Sequence, residues 1–225
     1  MNQNLINTII LAGVFLVLFA TAEWLYHVKK VHPELTRKYV HLSTGLLTML
    51  FPPLIENHWL VMLLCASFLL ILIISQIFNL LPSINGVKRL TRGSFLFPIV
   101  VYICYLVYQY YDQHSFYYLP ILVLAFADPA AALAGKKYRW KPYVILGHTK
   151  TVAGSLAFIF VAFLISFALL ILQQKTGVSV AIITAISVAL VSVFAEAFSH
   201  NGWDNFTIPM SALLVLISLK EFYIA

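Results

Sequence analysis

The stretch TVAGSLAFIFVAFLISFALLIL, residues 151–172, contains no charged side chain and is almost entirely apolar. A helix needs about 20 such residues to cross the hydrocarbon core of a bilayer. The whole chain has the same character, since 62% of its 225 residues are hydrophobic and only 10% are charged. This composition is far from that of soluble proteins and predicts an all-α, polytopic membrane helix bundle without a soluble domain.

Apolar windows of membrane-spanning length predict about eight transmembrane helices. The second window is short and ends at Pro52 and Pro53, so seven helices is the alternative. We expect a single membrane-embedded domain over residues 1–225, with its sequence motifs between about 37 and 210. The eight windows are 7–26, 40–55, 59–81, 95–111, 116–135, 151–172, 178–196 and 206–223.

The basic residues predict the orientation, because cytoplasmic loops retain Lys and Arg. Twelve of the fourteen lie in the first, third and fifth loops, and only Lys175 and Lys220 lie elsewhere. We therefore expect the odd-numbered loops on the cytoplasmic side and both termini outside. The net charge of +6 is then mainly a topology signal and argues against a nucleic-acid partner. The twelve residues are Lys29, Lys30, Arg37, Lys38, Lys88, Arg89, Arg92, Lys136, Lys137, Arg139, Lys141 and Lys150.

One carboxylate falls inside a predicted span. Asp128 precedes the basic residue Lys136 by eight positions, which is about 12 Å of helix, so it lies below the membrane surface. A charged group there costs roughly 2.5 to 3.5 kcal/mol and needs a partner or a function. Because Pro129 follows, the span is expected to break here and to start a new half-helix at a binding site. The alternative is a proline kink, with Asp128 bonded to a neighbouring helix.

The segment GHTKTVAGS, residues 147–155, precedes the sixth span and is typical of an anion site. Thr149 or Thr151 can cap the helix and leave the amides of Val152, Ala153 and Gly154 beside the Lys150 ammonium. Gly154 and Ser155 are small enough for a ligand or another backbone to approach. The alternative is an ordinary capped helix with a snorkelling lysine and a small-residue packing face.

Two further polar segments are predicted at the same membrane face. The stretch AEAFSHNGWDNFTIP contributes Glu196, His200, Asp204 and Asn205 around a turn at Gly202, and its carboxylate and amide oxygens suit Mg²⁺. Its alternative interpretation is that Asp204 caps the last span and Glu196 pairs with His200. In the stretch RKYVHLSTG, Arg37 and His41 are spaced i, i+4 and share a helix face, although Arg37 alone is typical of a positive-inside anchor.

Together these groups suit phosphoryl transfer, in which cations hold the phosphates and a carboxylate orients or deprotonates the attacking hydroxyl. A nucleotide would be held by loops and helix ends, and the acceptor would enter from the bilayer.

Four motifs, in this order and near these spacings, resemble those of the phytol kinase and dolichol kinase family of CTP-dependent membrane lipid kinases. They are RKYVHLSTGLL, FADPAAALAGKKYR, GHTKTVAGS and AEAFSHNGWDNFTIPM, and they lie within about residues 37–210. Two positions depart from the family pattern, Ala127 where Gly is usual and Pro129. Ala153 stands where dolichol-type members tend to have an acidic residue, which favours the phytol-type branch.

The resemblance implies transfer of the terminal phosphate of CTP to the hydroxyl of an isoprenoid alcohol or a related lipid, with Mg²⁺ or another divalent cation. We expect Asp128, Lys150 and Glu196 to be catalytic, and Asp128, Glu196 and Asp204 to bind the metal ion. The oligomeric state is left open. The expected nucleotide- and phosphate-binding residues are Arg37, His41, Lys136, Lys137, Thr149, Lys150, Thr151, Gly154, Ser155 and Asn205.

Two other functions fit parts of the same pattern. A cytidylyltransferase acting on phosphatidate would use the same nucleotide but would release pyrophosphate and form a CDP-lipid. A small transporter would use a broken fifth span as its binding site and would consume no nucleotide. The location of Lys150, Glu196 and Asp204 at one membrane face disfavours a transporter, because its site is expected nearer the midplane.

Overall fold

The computed structural model describes residues 2–78, 80–85, 93–173 and 177–222. It contains two compact units, Met1–Leu106 and Val107–Ala225, which are described separately below. The single domain expected over residues 1–225 stays a prediction. Lys88, Arg89 and Arg92 of the third predicted loop, and Lys175, lie outside the described residues.

In the part of the first unit that the structure describes, the regular secondary structure is all helical. A break at Met49 and Leu50 separates α2 from α3, and the short helix α3 carries Pro52 and Pro53. Proline lacks a backbone N–H and is tolerated in the first turn of a helix, which is where α3 places these two. The helices are α1 (Gln3–His27), α2 (Pro33–Thr48), α3 (Phe51–Leu54), α4 (His58–Phe78), α5 (Pro82–Asn85) and α6 (Gly93–Tyr111), the last of which continues into the second unit.

A half-buried carboxylate holds the short helix α5 in this unit. Glu23 of α1 accepts hydrogen bonds from the backbone N–H of Ser83, at 3.1 Å, and from its hydroxyl. The other carboxylate oxygen lies 3.2 Å from Nε2 of His27. Thr36 of α2 donates to the Ser83 carbonyl at 2.6 Å. The charged group of Glu23 is therefore fully partnered, as is expected of a carboxylate near the end of an apolar helix.

The second unit is a bundle of long helices with one small β-hairpin. Helix α7 packs against α8 and α10, and α9 packs against α8 and α10. The hairpin joins α7 to α8, and its strands pair antiparallel with Tyr143 opposite Lys150. The elements are α7 (Ser115–Tyr138), β1 (Pro142–Ile145), β2 (His148–Thr151), α8 (Val152–Leu172), α9 (Val178–Phe198), α10 (Asp204–Ser218) and a 3₁₀ turn (Lys220–Phe222).

Six of the described helices are long and apolar enough to cross a membrane, namely α1, α4, α6, α7, α8 and α9. Helix α10 is apolar but shorter. Helix α2 has 16 residues, starts seven positions before the predicted window and includes Glu34, Arg37 and Lys38. The predicted all-α polytopic membrane bundle is confirmed, with two of the eight predicted spans shorter or more polar than expected.

The predicted break of the fifth span is wrong. Helix α7 continues from Ser115 to Tyr138 with Pro120 and Pro129 inside it. Proline in a helix removes one hydrogen bond and crowds the carbonyl four residues earlier, which for Pro129 belongs to Ala125. Ala125 is buried in the bundle, so packing on neighbouring helices holds the turn together. Asp128 therefore lies within a continuous helix.

Candidate functional site

The centre of the site is an ion pair between two residues 46 positions apart. The ammonium of Lys150 on β2 donates to the carboxylate of Glu196 and, at 3.0 Å, to the Glu196 backbone carbonyl. Glu196 lies in the last turn of α9 and is only 5% exposed. A cation beside the carbonyls that end a helix is favourable, and a buried carboxylate needs such a partner. The predicted proximity of Lys150 and Glu196 is confirmed.

The alternation of side chains along the hairpin explains why Lys150 faces α9. In β2, His148 and Lys150 are half-buried whereas Thr149 between them is exposed. The His148 ring stacks on the His200 ring, with centroids 4.9 Å apart and planes at 16°. Two contacts from one strand face therefore hold the hairpin on the end of α9 and the turn that follows it.

Tyr143 of β1 extends this inner face toward α8, because its hydroxyl lies 2.7 Å from the hydroxyl of Ser155. Sequence reasoning did not assign His148 to the site; it included His200 in the segment around Gly202 and considered Tyr143 only as an aromatic side chain that stacks on the nucleotide base. The signal was present, since PYVI and HTKT are two four-residue segments separated by Leu146 and Gly147, a spacing typical of a two-residue hairpin turn.

The start of α8 is capped as predicted but is less open than expected. The Thr151 hydroxyl accepts a hydrogen bond from the Gly154 amide at 3.1 Å. The Val152 amide donates to the Lys141 carbonyl at 3.2 Å. Two of the three amides that were expected to bind an anion are therefore already used within the protein, because the hairpin closes over the helix end.

Helices α7 and α8 approach most closely beside this cap. A Cβ atom on Gly154 would lie 2.9 Å from the Ala131 carbonyl oxygen, and one on Gly135 would lie 2.8 Å from the Thr151 hydroxyl. Real Cβ atoms essentially never come this close to other atoms, so Gly154 is required for the observed packing, whereas a Cβ on Gly135 would have to displace the Thr151 side chain that caps α8. The expectation that Gly154 admits another backbone is confirmed.

Asp128 belongs to the same face of α7 as these packing residues. It precedes Ala131 by three positions and Gly135 by seven, which places the three residues on one side of a helix. It is half-buried and lies about 10 Å deeper along the helix axis than Gly135. Asp128 thus lies on the side of α7 that faces α8. It is farther from the C-terminal end of α7 than the hairpin that holds Lys150.

Asp204 and Asn205 lie at the start of α10, after a turn in which Gly202 has a φ of +88°. The predicted turn at Gly202 is therefore confirmed. The alternative in which Asp204 caps the helix is wrong, since the N-cap residue is Trp203 and makes no side-chain cap. Asp204 is the first helical residue, and its carboxylate accepts from the Asn205 amide at 2.9 Å. A hydrogen bond between the Ser199 and Thr207 hydroxyls fixes the turn against α10.

The remaining predicted phosphate-binding residues lie in three places, the end of α7, strand β2 and helix α2. Lys136 and Lys137 are exposed in the last turn of α7, and Thr149 is exposed on β2. Arg37 and His41 belong to the first unit, where both lie on α2 one turn apart, so their predicted common helix face is confirmed.

The described residues include no group of three or more His, Cys, Asp or Glu side chains that could hold a metal ion. Mg²⁺ is usually held by one or two carboxylates together with substrate phosphates and water. Asp128 and Asp204 are both half-buried and have the oxygen donors that this mode uses, and their metal roles stay predictions. Glu196 has Lys150 as its partner in this structure, and its metal role stays a prediction.

Comparison with known proteins identifies a relative. The chain is 28% identical over 196 residues to a phytol kinase from Synechocystis sp., covering 87% of this chain and 83% of that protein. No family model matches the sequence. No solved structure matches it. The relative and the four motifs together support the assignment of this chain to the phytol kinase and dolichol kinase family.

Proposed function

We propose that this protein is a membrane lipid kinase that transfers the terminal phosphate of CTP to the hydroxyl of an isoprenoid alcohol, such as phytol or a longer prenol. The homology to a phytol kinase supports the broader statement, a lipid kinase within a membrane. The CTP donor, the acceptor and the residue roles are our proposal. The observation that carries it is the Lys150–Glu196 pair, formed next to the glycine contact of α7 with α8.

Lys150 is proposed to bind the phosphates of the nucleotide. An ammonium neutralises charge on the transferring group and on the leaving phosphate, and hydrogen bonds to such ionised groups are strong. Glu196 would keep Lys150 on the α9 side of the hairpin, so that the ammonium is positioned before the nucleotide binds. Exposed Lys136 and Lys137 and the Asn205 side chain would add contacts to the nucleotide.

Asp128 is proposed as the group that orients the acceptor hydroxyl or takes its proton. In the reaction the alcohol oxygen bonds to the terminal phosphorus, the bond from that phosphorus to the bridging oxygen breaks, and a nucleoside diphosphate leaves. The hydroxyl proton would pass to the carboxylate. The depth of Asp128 suits this role, because a prenol would extend its apolar chain into the bilayer and present its hydroxyl near the membrane surface.

A divalent cation is expected to accompany the nucleotide, with Asp128 and Asp204 as its protein ligands and Glu196 as a third candidate. When bound, such an ion supplies positive charge to the phosphate oxygens.

The test uses the purified protein in nanodiscs with Mg²⁺ and either CTP or ATP labelled in the terminal phosphate. Phytol, geranylgeraniol, a long polyprenol and diacylglycerol serve as acceptors. We expect a labelled lipid phosphate and CDP, with CTP preferred. No labelled lipid from any acceptor and either donor would overturn the proposal.

The same assay separates the two alternative functions. With phosphatidate as acceptor and CTP labelled in its α-phosphate, a cytidylyltransferase forms a labelled CDP-lipid and releases pyrophosphate. A transporter moves solute in proteoliposomes without nucleotide consumption. Either result, in the absence of lipid phosphate, would replace the kinase proposal.

A further inference from the structure

We propose that the outer face of the hairpin, together with residues 138–141 before it, docks on anionic lipid headgroups of the membrane that α7 and α8 cross. The outer face is defined by Val144 and Leu146. The inference does not depend on the kinase proposal, because this face is opposite to the one that holds Lys150, and the variants that test it change Arg139 and Lys141, to which the kinase proposal gives no role.

The outer face exposes more apolar surface than is expected of a small hairpin in water. Val144 is 69% exposed and Leu146 at the turn is 66% exposed. Leu146 also has a φ of +48°, a conformation that side chains other than glycine, asparagine and aspartate rarely adopt. Trp140 and Tyr138, just before the hairpin, are 50% and 64% exposed. A polar turn residue would suit water at position 146, so the leucine indicates an apolar or interfacial environment.

The connection between α7 and α8 keeps this face close to the membrane surface. Helix α7 ends at Tyr138 and α8 begins at Val152, and both helices are of membrane-spanning length. A strand of four residues is about 13 Å long, and the headgroup layer on each side of the hydrocarbon core is about 5 to 8 Å thick. The hairpin therefore lies within reach of the headgroups without any change in the helices.

The charge of the segment favours anionic headgroups over neutral ones. No acidic residue occurs between Asp128 and Glu196, whereas Lys136, Lys137, Arg139 and Lys141 lie within six positions. Two of these lysines lie over neighbouring aromatic rings, with Nζ 5.2 Å from the ring centroid in the pairs Lys141–Trp140 and Lys137–Tyr138. Aromatic and basic side chains together are typical of membrane interfaces, and nearby anionic lipids attract them.

The test places an environment-sensitive fluorophore on the outer face. The fluorophore is attached to the new cysteine of the Val144→Cys variant. The native Cys65 and Cys104 are buried, and labelling of the unsubstituted chain measures any reaction at these two. The protein is placed in nanodiscs of phosphatidylcholine alone or with about one third phosphatidylglycerol, with brominated lipid as quencher. We expect a blue shift and stronger quenching with phosphatidylglycerol, both reduced at high salt because screening weakens attraction between surface charges.

Matched variants assign the effect to the basic segment. Arg139→Gln with Lys141→Gln is expected to lower the ratio of docked to undocked label by on the order of tenfold. Lys29→Gln with Lys30→Gln, which removes the same charge from the first loop, is expected to leave the ratio unchanged. A label on Asn201, which is exposed in the α9–α10 turn, should not respond to phosphatidylglycerol.

Three outcomes would overturn the proposal. The label could stay in water in both membranes. It could be quenched equally in both, which would indicate apolar contact without anion recognition. It could respond to CTP in neutral nanodiscs and not to phosphatidylglycerol, which would assign this face to the nucleotide.

Discussion

Lys150 donates to both the carboxylate and the backbone carbonyl of Glu196, and so joins the strand before α8 to the last turn of α9. The contact links two connections of the second unit, the one between α7 and α8 and the one between α9 and α10. Both connections therefore lie at the same end of this unit, as the alternation of spans requires. The proposed phosphate site depends on this contact, and the first two predictions test it.

Replacement of Lys150 by Met is expected to lower kcat/KM by about 10²- to 10³-fold, because the transition state loses a charged donor. Lipid phosphate formation per folded protein measures the effect. Lys220→Met is the matched control, since Lys220 lies in the 3₁₀ turn and contacts Glu221 at 3.8 Å on the surface. Equal activity of the two variants would contradict the phosphate-binding role of Lys150.

The Lys150→Met variant is also expected to regain stability when Glu196→Gln is added. The single change leaves a carboxylate that is 5% exposed without its cation, and the second change removes that charge. We expect the double variant to be more stable than Lys150→Met by about 1 to 2 kcal/mol, measured by denaturation in mild detergent. The pair Lys220→Met and Glu221→Gln is the control and should show no such recovery, because the Glu221 side chain is exposed to solvent and stays hydrated without its partner.

Gly154→Ala and Gly135→Ala are each expected to destabilise the protein by about 1 to 3 kcal/mol and to lower its activity. A Cβ on Gly154 would meet the Ala131 carbonyl, so α7 and α8 would have to separate. A Cβ on Gly135 would meet the Thr151 hydroxyl, so the cap of α8 would have to shift. Thermal unfolding and activity at low temperature are the measurements. Gly13→Ala is the control, since no atom lies within 4 Å of its added Cβ. If all three variants had the same unfolding temperature, the close helix approach would be refuted.

Asp128→Asn is expected to reduce kcat by about 10² to 10⁴ while leaving the fold intact, because the amide has the shape of the carboxylate but cannot accept the proton. Initial rates at saturating nucleotide and prenol give kcat, and unfolding temperature reports on the fold. Asp112→Asn, an exposed change in the turn between α6 and α7, provides the control. Unchanged turnover in Asp128→Asn would remove this residue from the reaction.

The membrane helices could be predicted from the sequence because long apolar runs have few alternatives in a bilayer. The cap at Thr151 was also predictable, since a local hydrogen bond follows from a local pattern. The pairing of Lys150 with Glu196 was predicted only as proximity at one face. Its partner atoms depend on how the hairpin packs on the end of α9, and no local pattern specifies a contact between residues 46 positions apart.

Two local features were not predicted, for different reasons. Pro129 indicated a helix break, but the neighbouring helices hold α7 continuous. The hairpin was missed because each strand has only four residues and the segment resembles a polar loop. A search for two short strands joined by a two-residue turn at Leu146 and Gly147 would have predicted the hairpin. It would also have placed His148 on the same strand face as Lys150.

Because side chains alternate along β2, the direction in which Lys150 points depends on whether the number of residues between it and the turn is odd or even. Odd and even positions after the turn point to opposite sides, so deleting one residue between Gly147 and Lys150 would send the ammonium outward and turn a threonine toward α9. Changes of two residues would preserve the facing. The hairpin before α8 is therefore constrained in length as well as in composition, because insertions or deletions in β2 keep Lys150 facing α9 only when they come in pairs.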